Sequence, residues 1–271
     1  MNKEKSSDHF ENNYSQTERR MQIVTLIQER GRASVPDLSE RFDVSEMTIR
    51  RDLRELDREG LLKRVHGGAI SGFGRSYEPA LNLRANANKA AKEAIGRKAA
   101  ELISDGDSLA FDVGSTTLEI ARHLGSRQNL TIITTSLPIA NQVVENYSLT
   151  SDVRLILAGG IVRSRELSMI GPFAEHTLQE LHVDKAFIGV AGISLDEGLT
   201  EYNLEDATVK KSMIRCAHQV IVVADSSKLE KVTFASVARL EAIDTLVTDD
   251  QAAEDFLREL ESRGVQILLA E

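Results

Sequence analysis

The stretch Ser45-Glu46-Met47-Thr48-Ile49-Arg50-Arg51-Asp52-Leu53-Arg54-Glu55-Leu56 narrows the possible folds of this chain more than any other. On a helix, at about 100° per residue, Ile49, Leu53 and Leu56 fall within roughly 60° of one another and make one buried stripe. The opposite face carries Met47, Arg51, Arg54 and Arg58, flanked by Thr48 and Arg50. Such a helix packs on a small core with one side. With the other it offers guanidinium groups that can pair with phosphate or bind guanine O6 and N7 in a major groove. Taken alone, the same arginines could equally be a solvated face paired with Asp52, Glu55 and Glu59.

The neighbouring segments decide between the two. Upstream, Met21, Val24, Leu26 and Ile27 recur at helical spacing and stop at Gly31, and a short helix is expected from about Val35 to Phe42 with Pro36 in its first turn. Asp43-Val44-Ser45 is then a turn into the arginine-bearing helix, which ends at Gly60. Leu61 to Val65 reads as a strand, His66-Gly67-Gly68 as a tight turn and Ala69-Ile70 as a return strand. Three helices and a hairpin in this order make a winged helix-turn-helix, an α+β domain expected over residues 17–70. Its candidate DNA contacts are Met47, Thr48, Arg50, Arg51, Arg54 and Arg58 on the helix and Lys63, Arg64 and His66 on the wing.

These residues resemble the DeoR-type bacterial regulators, whose signature here reads Arg19, Ile23, Ile27, then Ser45, Thr48, Ile49, Arg50, Arg51, Asp52 and Leu53. The wing Lys63-Arg64-Val65-His66-Gly67-Gly68-Ala69 is similar to that family's as well. The resemblance implies a transcriptional repressor of carbohydrate-metabolism genes that binds operator DNA and lets go when a small-molecule effector binds.

The charge distribution agrees with a reader joined to a sensor. Lys and Arg number 33 against 42 Asp and Glu, a net charge of -9. Residues 1–70 are balanced at 13 against 13, so the whole deficit lies downstream. One short helix reaches too few bases for specificity, so a homo-oligomer, dimer or tetramer, is expected on paired half-sites. The polar N-terminus, the lack of any run of about 18 apolar residues and the single Cys216 point to a cytoplasmic chain with no membrane partner.

Residues 71–88, with Gly72, Gly74, Ser76 and Pro79 and no apolar period, read as a linker, and residues 89–271 as a second domain. There, seven apolar runs alternate with helical segments: 108–111, 130–133, 153–157, 186–190, 220–223, 243–247 and 265–269. That alternation predicts an α/β doubly wound domain with a parallel sheet. Ligands of such domains collect where strands end. After the first run, Asp112-Val113-Gly114-Ser115-Thr116-Thr117 precedes a helix, giving a glycine turn, hydroxyls and free N–H groups suited to phosphate, with Asp112 placed to accept from sugar hydroxyls. The same sequence is also what a helix cap and a tight turn need. Other expected strand ends supply Thr135, Gly160, Lys185, Thr200 and Lys228, and Lys210 is a further candidate charge partner.

The resemblance continues through this domain and implies a fold like ribose-5-phosphate isomerase, a phosphorylated sugar or related metabolite as effector, and Asp112, Gly114, Ser115, Thr116 and Thr117 as the phosphate loop. The competing reading is a sugar-phosphate isomerase-like enzyme with an appended DNA-binding domain. Against it, the stretch corresponding to the isomerase D-G-A-D loop reads Asp184-Lys185-Ala186-Phe187, and no triple glycine precedes Thr200-Glu201. No catalytic residue and no cofactor is therefore expected. The histidines lack metal-ligand spacing, so no metal is expected either.

Overall fold

The computed structural model describes residues 15–71, 74–125, 127–147 and 152–271. Most of the polar N-terminal tail, and Gly72 of the expected linker, lie outside these residues. Two compact units divide after Gly74.

In the first unit, α1 (Gln16–Arg30) opens with a capping box between Ser15 and Glu18 and closes at Gly31, whose left-handed φ of 75° favours glycine. A three-residue strand β1 (Arg32–Ser34) follows, then α2 (Val35–Phe42) and α3 (Glu46–Arg58). Ser45 caps α3 by accepting the Thr48 N–H at 3.2 Å. The wing is β2 (Lys63–Val65) and β3 (Gly68–Ile70), and β3 lies between β1 and β2 in a small antiparallel sheet. Ile23, Ile27, Leu38, Ile49, Leu53, Leu56 and Ala69 form its core. The stripe expected on α3 is thus the buried one.

The second unit begins with α4 (Leu81–Asn86) and α5 (Lys89–Ala100), then β4 (Ser108–Phe111), α6 (Ser115–Arg122), β5 (Thr131–Thr134), α7 (Leu137–Asn146) and β6 (Arg154–Leu157). A hairpin of β7 (Ile161–Arg163) and β8 (Ser168–Ile170) leads to α8 (Pro172–Gln179) and β9 (Val183–Gly189). Next come β10 (Gly192–Ser194), β11 (Gly198–Glu201), α9 (Leu204–Cys216), β12 (Ala217–Val223) and β13 (Ala235–Ala238). The chain closes with β14 (Thr245–Asp249), α10 (Glu254–Ser262) and β15 (Gln266–Ala270).

Seven of these strands form one parallel sheet in the order β15-β14-β12-β9-β4-β5-β6. Along each central strand successive side chains alternate between two cores. Ala110, Ala186, Ile188, Val220 and Val222 join the core under α8, α9 and α10, while Leu109, Phe111, Phe187, Ile221 and Val223 join the one under α5, α6 and α7. The rings of Phe111 and Phe187 stack across β4 and β9, 5.2 Å apart. Gly96 lets α5 lie directly on α6, since a Cβ there would meet Glu119 Cβ at 2.4 Å.

From β4 the chain winds outward to β6, then returns to the other side of β4 as β9 and winds outward again to β15. The direction of winding therefore reverses between β4 and β9, and the carboxyl ends of these strands open a crevice. Residues 75–88 correct the linker reading: they are part of this unit. Arg84 on α4 pairs with Glu78 (3.2 Å) and Glu166, Arg163 with Glu78, and Asn88 Nδ2 donates to Asp225 (2.9 Å). Polar anchoring holds this stretch, which is why no apolar period announces it. No described helix is long and apolar enough to cross a membrane.

Candidate functional site

On α3 the residues opposite the core are sorted by their partners. Met47 is 71% exposed, and Arg51 and Arg54 are exposed with no ion pair or hydrogen bond of their side chains among the described residues. Arg50 is tied to Glu46 (2.7 Å) and Arg58 to Glu55 (2.5 Å), pairs that an exposed surface makes weak and easily exchanged for phosphate. Thr48 is half-buried and its Oγ1 lies 2.9 Å from Ser45 Oγ, so it belongs partly to the cap. Lys63, Arg64 and His66 are exposed on the wing, and the Arg64 N–H donates to Asp57 Oδ1 at 3.1 Å, fixing wing to helix.

Asp52 is on the same helix but takes no part in that face. It is buried, and its two oxygens accept from Arg19 Nε and Arg20 Nε, both at 2.8 Å. The signature's Arg19 and Asp52 thus touch each other, a structural pairing that helical periodicity alone does not show.

In the second unit, a pocket opens at the crevice between β4 and β9. Val113, Gly114, Ser115 and Thr116 line it from the β4–α6 turn, Gly189 and Val190 from the end of β9, and Val223 and Ala224 from the end of β12. The first intrahelical bond of α6 runs from the Leu118 N–H to Gly114 O, so the N–H groups of the preceding turn are free of intrahelical acceptors. Their donors and the helix dipole favour an anion there. Charged residues complete the lining: Arg84, Lys92, Lys210 and Lys228 with Glu201 and Asp206.

Partners divide these groups. Lys210 Nζ contacts Asp112 Oδ2, lies 3.3 Å from Glu201 and reaches Asp206 at 4.0 Å. Burial disfavours its charge, but Asp112, Glu201 and Asp206 outweigh that and hold it above the ordinary lysine range. Burial pushes Asp112 up to about 7 against the pull of Lys210, and raises Glu201 in the same way. Lys92 donates to Arg84 O and to Ala87 O (2.6 Å); burial brings it down to about 8, with Asp225 resisting. Lys228, in the turn after β12, forms no ion pair within 4 Å among the described residues; Tyr202 and Asp225 keep it above the usual lysine range despite burial. Glu78, Glu201 and Asp206 bring carboxylate oxygens within 4.8 Å of one another, but Arg84, Arg163 and Lys210 already neutralise them as a metal would.

Of the residues expected at the effector site, Gly114, Ser115, Thr116, Lys210 and Lys228 line the pocket. Others stand elsewhere. Asp112 lies behind the lining, its Oδ2 taken by Lys210 and by the Gly189 N–H (3.0 Å), so it orders the wall instead of meeting a sugar hydroxyl. Thr117 closes its own turn by donating to Gly114 O at 3.0 Å. Lys185 is near the amino end of β9, paired with Asp107 at 2.5 Å, because β9 begins at Val183 and Asp184-Lys185 starts a strand instead of ending one. Thr200 Oγ1 joins the β10–β11–β13 sheet to Thr233 N–H (3.0 Å), Thr135 O accepts from the Met169 N–H (2.8 Å), and Gly160 allows close passage of Ile170 O. Arg84, Lys92, Glu201 and Asp206 are lining residues that the sequence does not single out.

Comparison with known proteins follows the same division of the chain. Residues 19–72 match the model of the DeoR-like helix-turn-helix domain, and residues 87–250 that of the DeoR C terminal sensor domain. The chain is 33% identical over 255 residues to the putative aga operon transcriptional repressor of Escherichia coli O157:H7, covering 93% of each. To the glycerol-3-phosphate regulon repressor of Escherichia coli K12 it is 32% identical, over 94% of this chain and 99% of the other. Among solved structures, ribose 5-phosphate isomerase A of Methanocaldococcus jannaschii is 22% identical with a TM-score of 0.39, covering 53% of this chain and 55% of that one. With both domain models matched in order and relatives above 30% identity along nearly the full length, the chain belongs to the DeoR family of DNA-binding transcriptional regulators.

Proposed function

We propose that this regulator is a repressor whose α3 and wing hold operator DNA until a phosphorylated sugar or sugar-derived metabolite fills the pocket at the ends of β4, β9 and β12. The observation that carries the effector class is the meeting of Lys228, unpaired within 4 Å among the described residues, with the free first-turn amides and the Ser115 and Thr116 hydroxyls of α6. A phosphate monoester suits that combination of charge and donors. The relatives' names, an aga operon repressor and a glycerol-3-phosphate regulon repressor, support the same class.

Glu201 is engaged by Lys210 and by the Tyr202 N–H (2.8 Å), and Asp112 and Asp206 share the same lysine, so none is poised as a free base for proton abstraction. That favours a sensor over an isomerase. Operator recognition by a homo-oligomer on paired half-sites completes the reading. The test is to select bound sequences from random DNA with the full chain and then challenge the complex with a panel of sugar phosphates. Release by one member, lost in Lys228→Met while DNA binding persists, is expected; a complex that no member of the panel dissociates would overturn the effector class.

A further inference from the structure

Among the described residues, five large hydrophobic side chains stay exposed between 157 and 173. They are Leu157 at the end of β6, Ile161 and Val162 on β7, Leu167 in the hairpin turn and Phe173 in the first turn of α8. Ile161 is 66% exposed and Phe173 78%. The start of α8 lies against β7, since a Cβ on Gly171 would stand 3.7 Å from Ile161 Cδ1. The other exposed hydrophobics of this unit, Val144, Leu204, Phe234 and Leu269, are spread over α7, α9, the lead into β13 and β15. From their fractional exposures the five present on the order of 500 Å² of apolar surface, near the upper size of patches on monomers and over half of the roughly 800 Å² that one partner gives to a stable interface.

The backbone at the centre of this patch is open as well. On one side β8 pairs with β7; on the other it meets the segment leading into α7, where the Leu137 N–H donates to Leu167 O (2.9 Å) and the Met169 N–H to Thr135 O (2.8 Å). Among the described residues β7 has β8 as its sole strand neighbour, so its outer edge is unpaired. Exposed edges are ordinarily guarded by a charge or a proline. Here β7 has no proline, and its one charged residue, Arg163, is drawn inward to Glu78 and to Asp206 (3.4 Å), while Ile161 and Val162 stay outside. Polar in and apolar out is the reverse of what water alone would favour.

Resting on the homo-oligomer reading above, we infer that this surface is where two copies of the chain join, β7 of one lying antiparallel to β7 of the other across a two-fold axis. A two-fold contact sets the same patch on both sides, so its centre must tolerate meeting itself. An uncharged strand edge with apolar side chains does so, because each edge supplies the donors and acceptors that the other lacks. In the first unit the exposed large hydrophobics are Met47 and Val65, on the α3 and wing that the operator needs, so that unit has no comparable surface among the described residues. Arg163 and Glu166 of the hairpin also pair with Asp206 and Arg84 of the pocket lining, which ties the junction to the wall of the effector site.

Analytical ultracentrifugation of the full chain over a concentration series tests this, with Ile161→Asp and Phe173→Asp in the patch and Val144→Asp as a control outside it. The wild type is expected to sediment as a dimer or tetramer. Each patch variant should weaken self-association at least tenfold with its circular dichroism unchanged, and Val144→Asp should leave association as it was. Cross-linking with a short bismaleimide reads the contact directly. The chain's single cysteine, Cys216, is buried, so Val162→Cys adds an accessible thiol that should link copy to copy more efficiently than the thiol of Val144→Cys. An oligomer indifferent to both patch variants, or cross-linking at 162 no greater than at 144, overturns the inference and leaves the homo-oligomer standing. A wild-type chain that sediments as a monomer removes the homo-oligomer reading and the inference with it. Should a charged variant fail to fold, the cross-linking decides alone.

Discussion

Arg19 Nε donates to Asp52 Oδ2 over 2.8 Å, and this buried contact ties α1 to the middle of α3. Arg20 takes the other oxygen, so one carboxylate fixes two arginines of a neighbouring helix. Asp52→Ala would leave both guanidinium groups without their anion, at a cost of about 2–3 kcal/mol to the first unit. Urea unfolding followed by circular dichroism is the measurement; an unchanged midpoint would mean that the pair contributes nothing.

Arg51 and Arg54 should behave in the opposite manner. Their replacement by alanine removes no internal partner, so stability should hold while specific operator affinity falls by about 1–3 kcal/mol for each lost base contact. Arg50→Ala and Arg58→Ala, which lose contacts that Glu46 and Glu55 already compete for, should cost less. Gel-shift titration against a selected operator will rank the four; a larger loss at Arg50 or Arg58 than at both Arg51 and Arg54 would place the DNA on another side of the helix.

Lys210 holds three buried carboxylates. Lys210→Met leaves Asp112 and Glu201 without their shared cation, while Asp206 keeps Arg163 at 3.4 Å, and should cost about 3–5 kcal/mol. Adding Asp112→Asn to that variant removes one of the stranded charges and should return part of the loss. A double variant no more stable than Lys210→Met would show that the two residues are not coupled.

Lys92 sets a pH dependence. Its folded value of about 8 lies below the 10.5 of an unfolded lysine, so between these values the unfolded chain binds the extra proton and this group adds stability as pH rises. For an anionic ligand the same deprotonation is a loss. Phosphate monoesters gain their second charge near pH ~6, so affinity for a monophosphate should be highest between that point and about 8 and decline above it. Calorimetry at pH 7 and pH 9 would expose the error if the two affinities were equal.

The parts of the fold with a long, repeated pattern are legible in the sequence. The stripe of Ile49, Leu53 and Leu56 is the buried face of α3, and all seven apolar runs are strands of the parallel sheet. What escapes is short or polar. The hairpin β7–β8 and the side sheet β10–β11–β13 are made of strands of three or four residues, too short to display alternation. Lys185 is misplaced because the polar Asp184-Lys185 pair stands near the start of a strand whose apolar run begins only at Ala186. Arg84 and Lys92 are missed because their positions follow from hydrogen bonds and ion pairs, to which hydrophobic periodicity is blind.

The anchoring of α4 bears on how such regulators can be recombined. A chimaera that joins a foreign DNA reader to this sensor at residue 89, where regular α/β structure begins, would discard Arg84. It would leave Glu166 without that guanidinium and take away the carbonyls to which Lys92 donates. A junction immediately after Gly74 keeps the whole pocket wall. Insertions between Arg75 and Asn88 should likewise be tolerated far less well than the composition of that stretch suggests, because its length is set by the ionic anchors at Glu78 and Arg84 and by the distance to Asp225.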